Sequence, residues 1–214
     1  MPDDAELRAA WTDHVGDGPG ALDELDEVLG RHRGANRRYH GVRHVTWVVR
    51  HVLDLARTEP VDDLGAVVAA AFFHDAVYDA TAGDNEEQSA RMARRVLVEL
   101  GWDEARAEGV AELVRATAAH EATDERDRAV LLDADLAVLG SEPAAYQAYV
   151  TGVRAEYGHV PDDDWRRGRS AVLQRFLTAP QLYSTVTGRT RWEARARANV
   201  TAELAGLRSH EPHR

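Results

Sequence analysis

The sequence contains no cysteine and no lysine among its 214 residues. Without cysteine, the chain has no disulfide bonds, thiolate metal ligands or cysteine nucleophiles, so any metal must be held by His, Asp, Glu or backbone oxygen. Since all 26 basic residues are arginine, the chain also lacks a P-loop lysine, a Schiff-base lysine and a lysine general base. The available chemistry is therefore that of imidazoles, carboxylates, hydroxyls and guanidinium groups.

Positive charge and long apolar runs are also scarce. The 26 basic residues stand against 37 acidic ones, for a net charge of -11, and this balance argues against a nucleic-acid polymer as partner. No run approaches about 18 uncharged apolar residues, so no membrane-spanning helix is predicted. The first four residues lack the basic and apolar regions of a signal peptide, and the predicted location is cytoplasmic.

The apolar residues recur with a helical period, and strand signals are almost absent. Val45, Val48, Val49 and Val52 form the stripe of a half-buried helix, and residues 64–76 are apolar on nearly every side. The sequence predicts an all-α fold and a single domain over 1–214. Two N-terminal helices flank a loop at 16–20, and further helices are predicted near 42–57, 64–76, 85–100, 103–119, 127–139, 141–157, 161–178 and 190–209. In the helix near 85–100, Asp84 is predicted as the N-cap and Glu87 as the N3 residue, and Gly101 is predicted to end the helix.

Four residues have the order of ligands to one divalent ion placed between helices. They are His44, the adjacent pair His74 and Asp75, and Asp135. Imidazoles and carboxylates together suit Mn, Fe, Co, Ni or Zn better than Ca. The His74-Asp75 pair ends the most apolar segment of the chain, where a buried charge needs a partner. A metal so held can acidify a water molecule, which indicates a metal-dependent hydrolase.

Two further spacings leave alternatives open. His40 and His44 lie four residues apart, so on one helix face they could share a metal, divide metal and substrate binding, or simply face solvent. Asp133 and Asp135 lie two apart and diverge on their helix, so only one of them is expected to meet the metal. The other would orient a ligand histidine, or point to solvent or an arginine.

Three other features carry both a functional and a structural interpretation. His120 is either a substrate or second-metal contact or a histidine placed at a helix end by the helix dipole. Glu86 is either a general base or part of the charge at a helix start. The C-terminal arginines, Arg175 among them, suit phosphate in shape, although a solvated helix face explains most of them.

Four segments resemble the HD-domain superfamily, and more narrowly its stand-alone bacterial group of predicted metal-dependent phosphohydrolases. The segments are RRYHGVRHV (37–45), FFHDAVYDATAGDNEEQSA (72–90), LLDADLAVLG (131–140) and EARARANVTAELAGL (193–207). The resemblance implies an HD-type helical bundle with extra N- and C-terminal helices. It also implies one divalent metal ion, which would be Mn, Mg, Fe, Co, Ni or Zn.

The resemblance assigns roles to individual positions. The metal ligands would be His44, His74, Asp75 and Asp135. His40 would donate a proton to the leaving group, Arg37 would meet phosphate, and His120 matches a histidine common before the last aspartate and is assigned to substrate. Gly41 departs from the pattern, because related sequences usually carry Asn there.

Together these observations predict a phosphomonoesterase or phosphodiesterase that acts on a small phosphorylated metabolite, nucleotides included. His40 and Glu86 are the candidate catalytic residues. The alternatives are a non-catalytic metal- or nucleotide-binding regulatory module with the same fold and an HD-type di-iron oxygenase. The oxygenase is less favoured because a two-iron site needs more histidines and only His120 lies between Asp75 and Asp135. The sequence does not fix the oligomeric state, and a homodimer is one of the open alternatives.

Overall fold

A computed structural model describes residues 2–209, which contain ten α-helices, one 3₁₀ turn and no strand. The expected all-α class is therefore confirmed for this part of the chain. The elements are α1 (Pro2–His14), α2 (Ala21–His32), α3 (Val42–Leu55), α4 (Leu64–Phe73), α5 (Asn85–Glu99), α6 (Glu104–Ala116), α7 (Arg126–Leu136), the 3₁₀ turn (Ala137–Gly140), α8 (Pro143–Glu156), α9 (Asp162–Thr178) and α10 (Val186–Ser209).

The apolar helix α4 lies at the centre of the larger hydrophobic core. Its residues from Ala66 to Phe73 are all buried, and α1, α3, α5, α6 and α7 pack around it. The side chain of Asp63 caps its start by accepting a hydrogen bond from the Ala66 amide at 3.0 Å. The core helix ends at Phe73, so the His74-Asp75 pair that follows it lies where the apolar core meets the cavity described below.

A second, smaller hydrophobic cluster is formed by α8, α9, α10 and the 3₁₀ turn. Trp192 packs against both clusters and so joins them. Its close approach requires glycine at position 140, because a Cβ atom there would lie only 2.4 Å from the Cβ of Trp192. This contact places α10 directly against the turn that follows α7, the helix that carries Asp135.

Most predicted helices are present, with three differences that affect the site. Helix α4 ends at Phe73 and not at residue 76, so the His74-Asp75 pair follows the helix. Helix α3 begins at Val42, so His40 lies before the helix and does not share a helix face with His44. Helix α10 begins at Val186, four residues earlier than predicted. Gly101, with φ of 88°, follows α5 as expected.

The predicted capping pair at the start of α5 is wrong in detail. Asp84 occupies the N-cap position, but its side chain makes no capping hydrogen bond. Its Oδ2 atom instead accepts a hydrogen bond from Nε2 of Gln88 at 2.9 Å. The Glu87 carboxylate accepts charge-assisted hydrogen bonds from Arg91 and Arg115, which are stronger than a bond to a neutral amide.

None of the described helices combines the length and apolar character that crossing a bilayer requires. The prediction of one domain over 1–214 includes residues beyond those described and stays a prediction.

Candidate metal centre and cavity

Side chains from three parts of the fold converge at one point. The Nε2 atoms of His44 and His74 lie 3.0 Å apart. Oδ2 of Asp75 is 3.4 Å from the His44 Nε2 atom and 3.2 Å from that of His74. Oδ1 of Asp135 is 3.2 Å and 3.7 Å from the same two nitrogens. The structure thus brings together the four residues that the sequence selected.

The helices explain how residues distant in sequence meet. His44 lies in the first turn of α3, His74 directly follows α4, and Asp135 lies in the last turn of α7. Helix α3 packs against both α4 and α7, so these three termini meet at one end of the bundle. All four side chains are largely buried, with Asp75 the most exposed at 16%.

The hydrogen bond of His74 to the backbone fixes its tautomer. Nδ1 of His74 lies 2.9 Å from the carbonyl oxygen of Ala71, which can only accept, so Nδ1 carries the proton. The Nε2 lone pair of neutral His74 therefore points towards His44 and the two carboxylates, as a metal ligand requires. Nδ1 of His44 is buried and makes no hydrogen bond.

The charges in this cluster shift the pKa values of its members. Burial alone would lower the pKa of His44, but hydrogen bonds to Asp135 and Asp75, together with their charges, raise it to about 9. Burial opposes ionisation of Asp135, yet His120, His44 and His74 hold its pKa well below the ordinary value. Two carboxylates facing two imidazoles thus favour a positive charge between them, which either a proton or a metal ion can supply.

The spacing of the donor atoms also fits a cation. Ligand atoms about 2.1 Å from one ion lie about 3.0 Å apart at octahedral corners and about 3.4 Å apart at tetrahedral corners. The donor atoms of His44, His74 and Asp75 are separated by 3.0, 3.2 and 3.4 Å. This buried group could therefore hold a metal ion. Within the described part of the chain, it is the one group of three or more His, Asp or Glu residues whose ligand atoms all lie within 4.8 Å of one another.

His120 contacts the second oxygen of Asp135. Its Nε2 atom lies 2.7 Å from Oδ2 of Asp135, while Oδ1 of the same carboxylate faces His44. His120 adopts a φ of 49°, in the left-handed region that non-glycine residues seldom occupy. The geometry makes His120 an orienting partner of Asp135; the predicted substrate contact stays a prediction.

Asp133 points away from the cluster, but not to the predicted partners. Its carboxylate accepts hydrogen bonds from the backbone amides of Ser184 and Thr185, at 2.7 and 2.8 Å, and from the Thr185 hydroxyl. A Cβ atom at Gly188 would lie 2.4 Å from Oδ2 of Asp133, so only glycine fits there. The expectation of solvent or a histidine was wrong, because Asp133 is buried against the segment that precedes α10. Among the expected partners, Arg189 acts on it through its charge and not through a hydrogen bond within the described residues.

Glu156 connects His40 to the rest of the structure. Its Oε1 atom accepts hydrogen bonds from the backbone amides of Arg38, Tyr39 and His40, at 2.7, 2.8 and 3.0 Å. Its Oε2 atom lies 2.6 Å from Nδ1 of His40 and accepts a hydrogen bond from the Tyr78 hydroxyl. The Tyr78 ring stacks on the His40 ring, with 4.6 Å between centroids. The orientation of His40 is therefore strongly constrained.

Sequence reasoning missed Glu156. A signal was present, because Tyr146, Val153 and Glu156 are the buried residues of α8 and recur at helical spacing, which puts a carboxylate on an apolar face. Burial opposes the charge of Glu156, but the hydrogen bonds from His40 and the backbone amides outweigh it and lower the pKa to about 2. Glu156 is thus an ionised carboxylate at neutral pH.

Arg37 lies behind the cluster and holds backbone segments together. Its guanidinium donates hydrogen bonds to the carbonyl oxygens of His40, Asp75 and Ala76, at 2.8, 2.6 and 3.0 Å. It does not line the cavity that contains the two carboxylates. These bonds tie the His40 loop to the turn that carries Asp75; the predicted phosphate contact stays a prediction.

A cavity of about 650 Å³ opens onto the cluster. Its polar part is lined by Asp75, Asp135, His40, His120 and Glu86. The Glu86 side chain makes no hydrogen bond or ion pair with any residue in the range 2–209, so its carboxylate is free to meet a ligand.

Two arginines also line this cavity and differ in their pairing. The Arg169 guanidinium donates to both oxygens of the Glu203 carboxylate, so its charge is already balanced. Arg175 forms no ion pair within the described residues; its guanidinium lies 5.7 Å from the centroid of the Phe176 ring.

Comparison of the chain with protein-family models, with curated proteins and with solved structures finds no match.

Proposed function

We propose that this protein is a metal-dependent phosphohydrolase of the HD-domain superfamily, acting on a small phosphate ester. The observation that carries the proposal is the meeting of His44, His74, Asp75 and Asp135 at the polar end of a ligand-sized cavity. The order of these residues and their flanking motifs supply the link to the superfamily. In this proposal all four hold one divalent ion, with Asp135 as the fourth ligand.

A divalent ion held there would supply a water molecule of lowered pKa, about 7 in zinc enzymes, together with positive charge for the phosphoryl oxygens. The two histidines bind in their neutral form through Nε2, and the Ala71 carbonyl already selects that tautomer for His74. His120 holds the outer oxygen of Asp135, which keeps the inner oxygen directed at the two imidazoles.

His40 is assigned the proton that the leaving group requires. The Glu156 carboxylate can only accept, so it selects the tautomer with the proton on Nδ1 of His40. The second ring nitrogen, Nε2, is then the atom that holds or releases a proton towards the cavity, which His40 lines. Glu156 acts as a positioning residue, because its contacts are with His40 and the adjoining backbone.

Two further residues suit the remaining tasks. Arg175 lines the cavity without an acidic partner, and a guanidinium binds two phosphoryl oxygens at once. The unpaired carboxylate of Glu86 is the alternative group to accept a proton from the attacking water.

The test is a panel of phosphate monoesters and diesters, assayed with the protein loaded in turn with Mn²⁺, Mg²⁺, Co²⁺, Ni²⁺ and Zn²⁺. Metal content per chain is measured in parallel for the unsubstituted protein and for Asp75→Ala. Asp13→Ala, an exposed aspartate outside the cavity, is the matched control. Hydrolysis that needs the metal and is lost in Asp75→Ala alone supports the proposal. A fully loaded protein that hydrolyses no member of the panel would indicate the non-catalytic binding module instead.

A further inference from the structure

Away from the metal cluster, apolar side chains form much of the cavity wall, together with the charged residues Asp164, Arg169 and Arg175. Helix α9 presents Trp165, Gly168, Val172 and Phe176 to the cavity, spaced three and four residues apart so that they share one helix face. Val172 is 37% exposed, which is unusual for a large apolar side chain in this chain. The Trp165 ring is partly covered, because it packs against Tyr157 and the Arg154 guanidinium, and Phe176 is buried, so Val172 offers the most exposed apolar surface of this wall.

Helix α8 supplies the facing wall. Tyr149 and Val153, four residues apart, line the same cavity. The polar part, with Asp75 and Asp135, and the apolar part belong to one continuous space of about 650 Å³. That volume falls among pockets that take drug-sized ligands, and it is far more than a phosphate group alone would fill.

Gly168 leaves extra room in this space. It lies in the interior of α9, where glycine is the least favourable residue after proline. Its φ is not positive, and an added Cβ atom would meet no atom within 4 Å, so neither the backbone nor packing requires glycine. What glycine provides at this position is a wider cavity between Trp165 and Val172.

We propose that the wall around Gly168 binds the organic group of the substrate, and that this group is apolar and about the size of a ring. The protein would then act on phosphate esters of apolar alcohols. This inference rests on the proposed function, which places the phosphoryl group at the metal cluster.

The probes are phosphonates, because their P–C bond is not hydrolysed and binding is measured without turnover. Calorimetry on the Mn²⁺-loaded protein compares methylphosphonate, benzylphosphonate and 2,3-dihydroxypropylphosphonate. We expect benzylphosphonate to bind about 10- to 100-fold more tightly than methylphosphonate, as burying a ring at about 25 cal/mol per Å² of apolar surface implies. The dihydroxypropyl compound is larger than methylphosphonate but polar, and it should gain less than about threefold.

Gly168→Leu fills the space and should reduce the benzyl advantage to less than about threefold, leaving methylphosphonate affinity unchanged. Gly30→Leu is the matched control, since Gly30 also occupies an exposed position of a helix, has nothing within 4 Å of an added Cβ and does not line the cavity. If Gly168→Leu proves unstable, Val172→Asp replaces it, with the exposed Val186→Asp as control.

Equal affinity for benzyl- and methylphosphonate in the unsubstituted protein would overturn the inference, as would an advantage that survives both Gly168→Leu and Val172→Asp. The result also separates the two proposals. A benzyl advantage that these variants abolish, without hydrolysis of any phosphate ester, retains the subsite and rejects the hydrolase. Hydrolysis of phosphate esters, with equal affinity for benzyl- and methylphosphonate, retains the hydrolase and rejects the apolar subsite.

Discussion

Oε2 of Glu156 lies 2.6 Å from Nδ1 of His40, although 116 residues separate the two in sequence. The other oxygen of the same carboxylate binds three consecutive backbone amides that end at His40. One buried side chain thus sets both the conformation of the His40 loop and the orientation of the His40 ring.

Replacing Glu156 by Gln should lower kcat more than it changes KM. The amide can still accept from the backbone, but its NH₂ group cannot accept the Nδ1 proton of His40, so the favoured tautomer is lost. General acid catalysis contributes about 10²–10⁴-fold, and we expect kcat to fall by about 10- to 100-fold. The pH profile on the acid side should shift as well. Glu112→Gln, exposed and outside the cavity, is the control. An equal fall in kcat in both variants, or a change in KM with kcat unaltered, would contradict the positioning role of Glu156.

The same carboxylate predicts how stability depends on pH. The pKa of Glu156 is about 2 in the folded protein and about 4.5 ordinarily, and its side chain is 0% exposed. A depressed acid pKa contributes stability that is present above the unfolded value and is lost as the pH falls towards the folded value. At pH 7 the contribution is on the order of 2–3 kcal/mol.

Denaturant unfolding of the unsubstituted protein and of Glu156→Gln, at several pH values, measures this difference. The gap in unfolding free energy should be largest above about pH 5 and should narrow between about pH 4.5 and pH 2. A gap that stays constant over that interval would mean that Glu156 is not ionised in the folded protein.

Metal binding should release a proton. The pKa of His44 is raised to about 9 by Asp135 and Asp75, so without a metal the cluster is protonated at neutral pH. A metal must displace that proton, and its apparent affinity should rise about tenfold per pH unit until the pH approaches 9. Ni²⁺ titrations by calorimetry at pH 6.5, 7.5 and 8.5, in buffers of different ionisation enthalpy, count the released protons. An affinity independent of pH across this range would argue against His44 as a ligand.

Asp135 and Asp133 should respond differently to the same change. Asp135→Asn removes charge from a proposed ligand, and the loss of metal affinity should exceed the roughly 10- to 100-fold typical of an outer residue. Asp133→Asn should leave the metal bound but lower the free energy of unfolding by about 1–3 kcal/mol. The reason is that the amide NH₂ would face the donors on Ser184 or Thr185 and leave a buried group without a partner. Metal titration and unfolding of both variants decide this, and the reverse order of effects would place the metal elsewhere.

The sequence by itself was enough to indicate an all-α fold, most helix ranges and the candidate ligands His44, His74 and Asp75. The choice of Asp135 over Asp133 came from the resemblance to the HD-domain superfamily. Helical periodicity depends on local spacing, so the helix ranges can be predicted without knowing how the helices pack. Metal affinity and the cost of a buried charge depend on residue type, so candidate ligands can be predicted in the same way. The apolar run before His74 is an example, because it predicted both a core helix and a buried polar pair at its end.

Only the tertiary structure decided the partners of the side chains around the cluster. Glu156 reaches His40 because α8 ends beside the His40 loop, and Asp133 binds Ser184 and Thr185, just before α10, where Gly188 leaves room for its carboxylate. Such contacts join positions far apart in sequence, and they depend on interhelical distances that no local pattern encodes. The cavity has the same origin, since Tyr149 and Val153 line it from α8 and Trp165 and Val172 line it from α9.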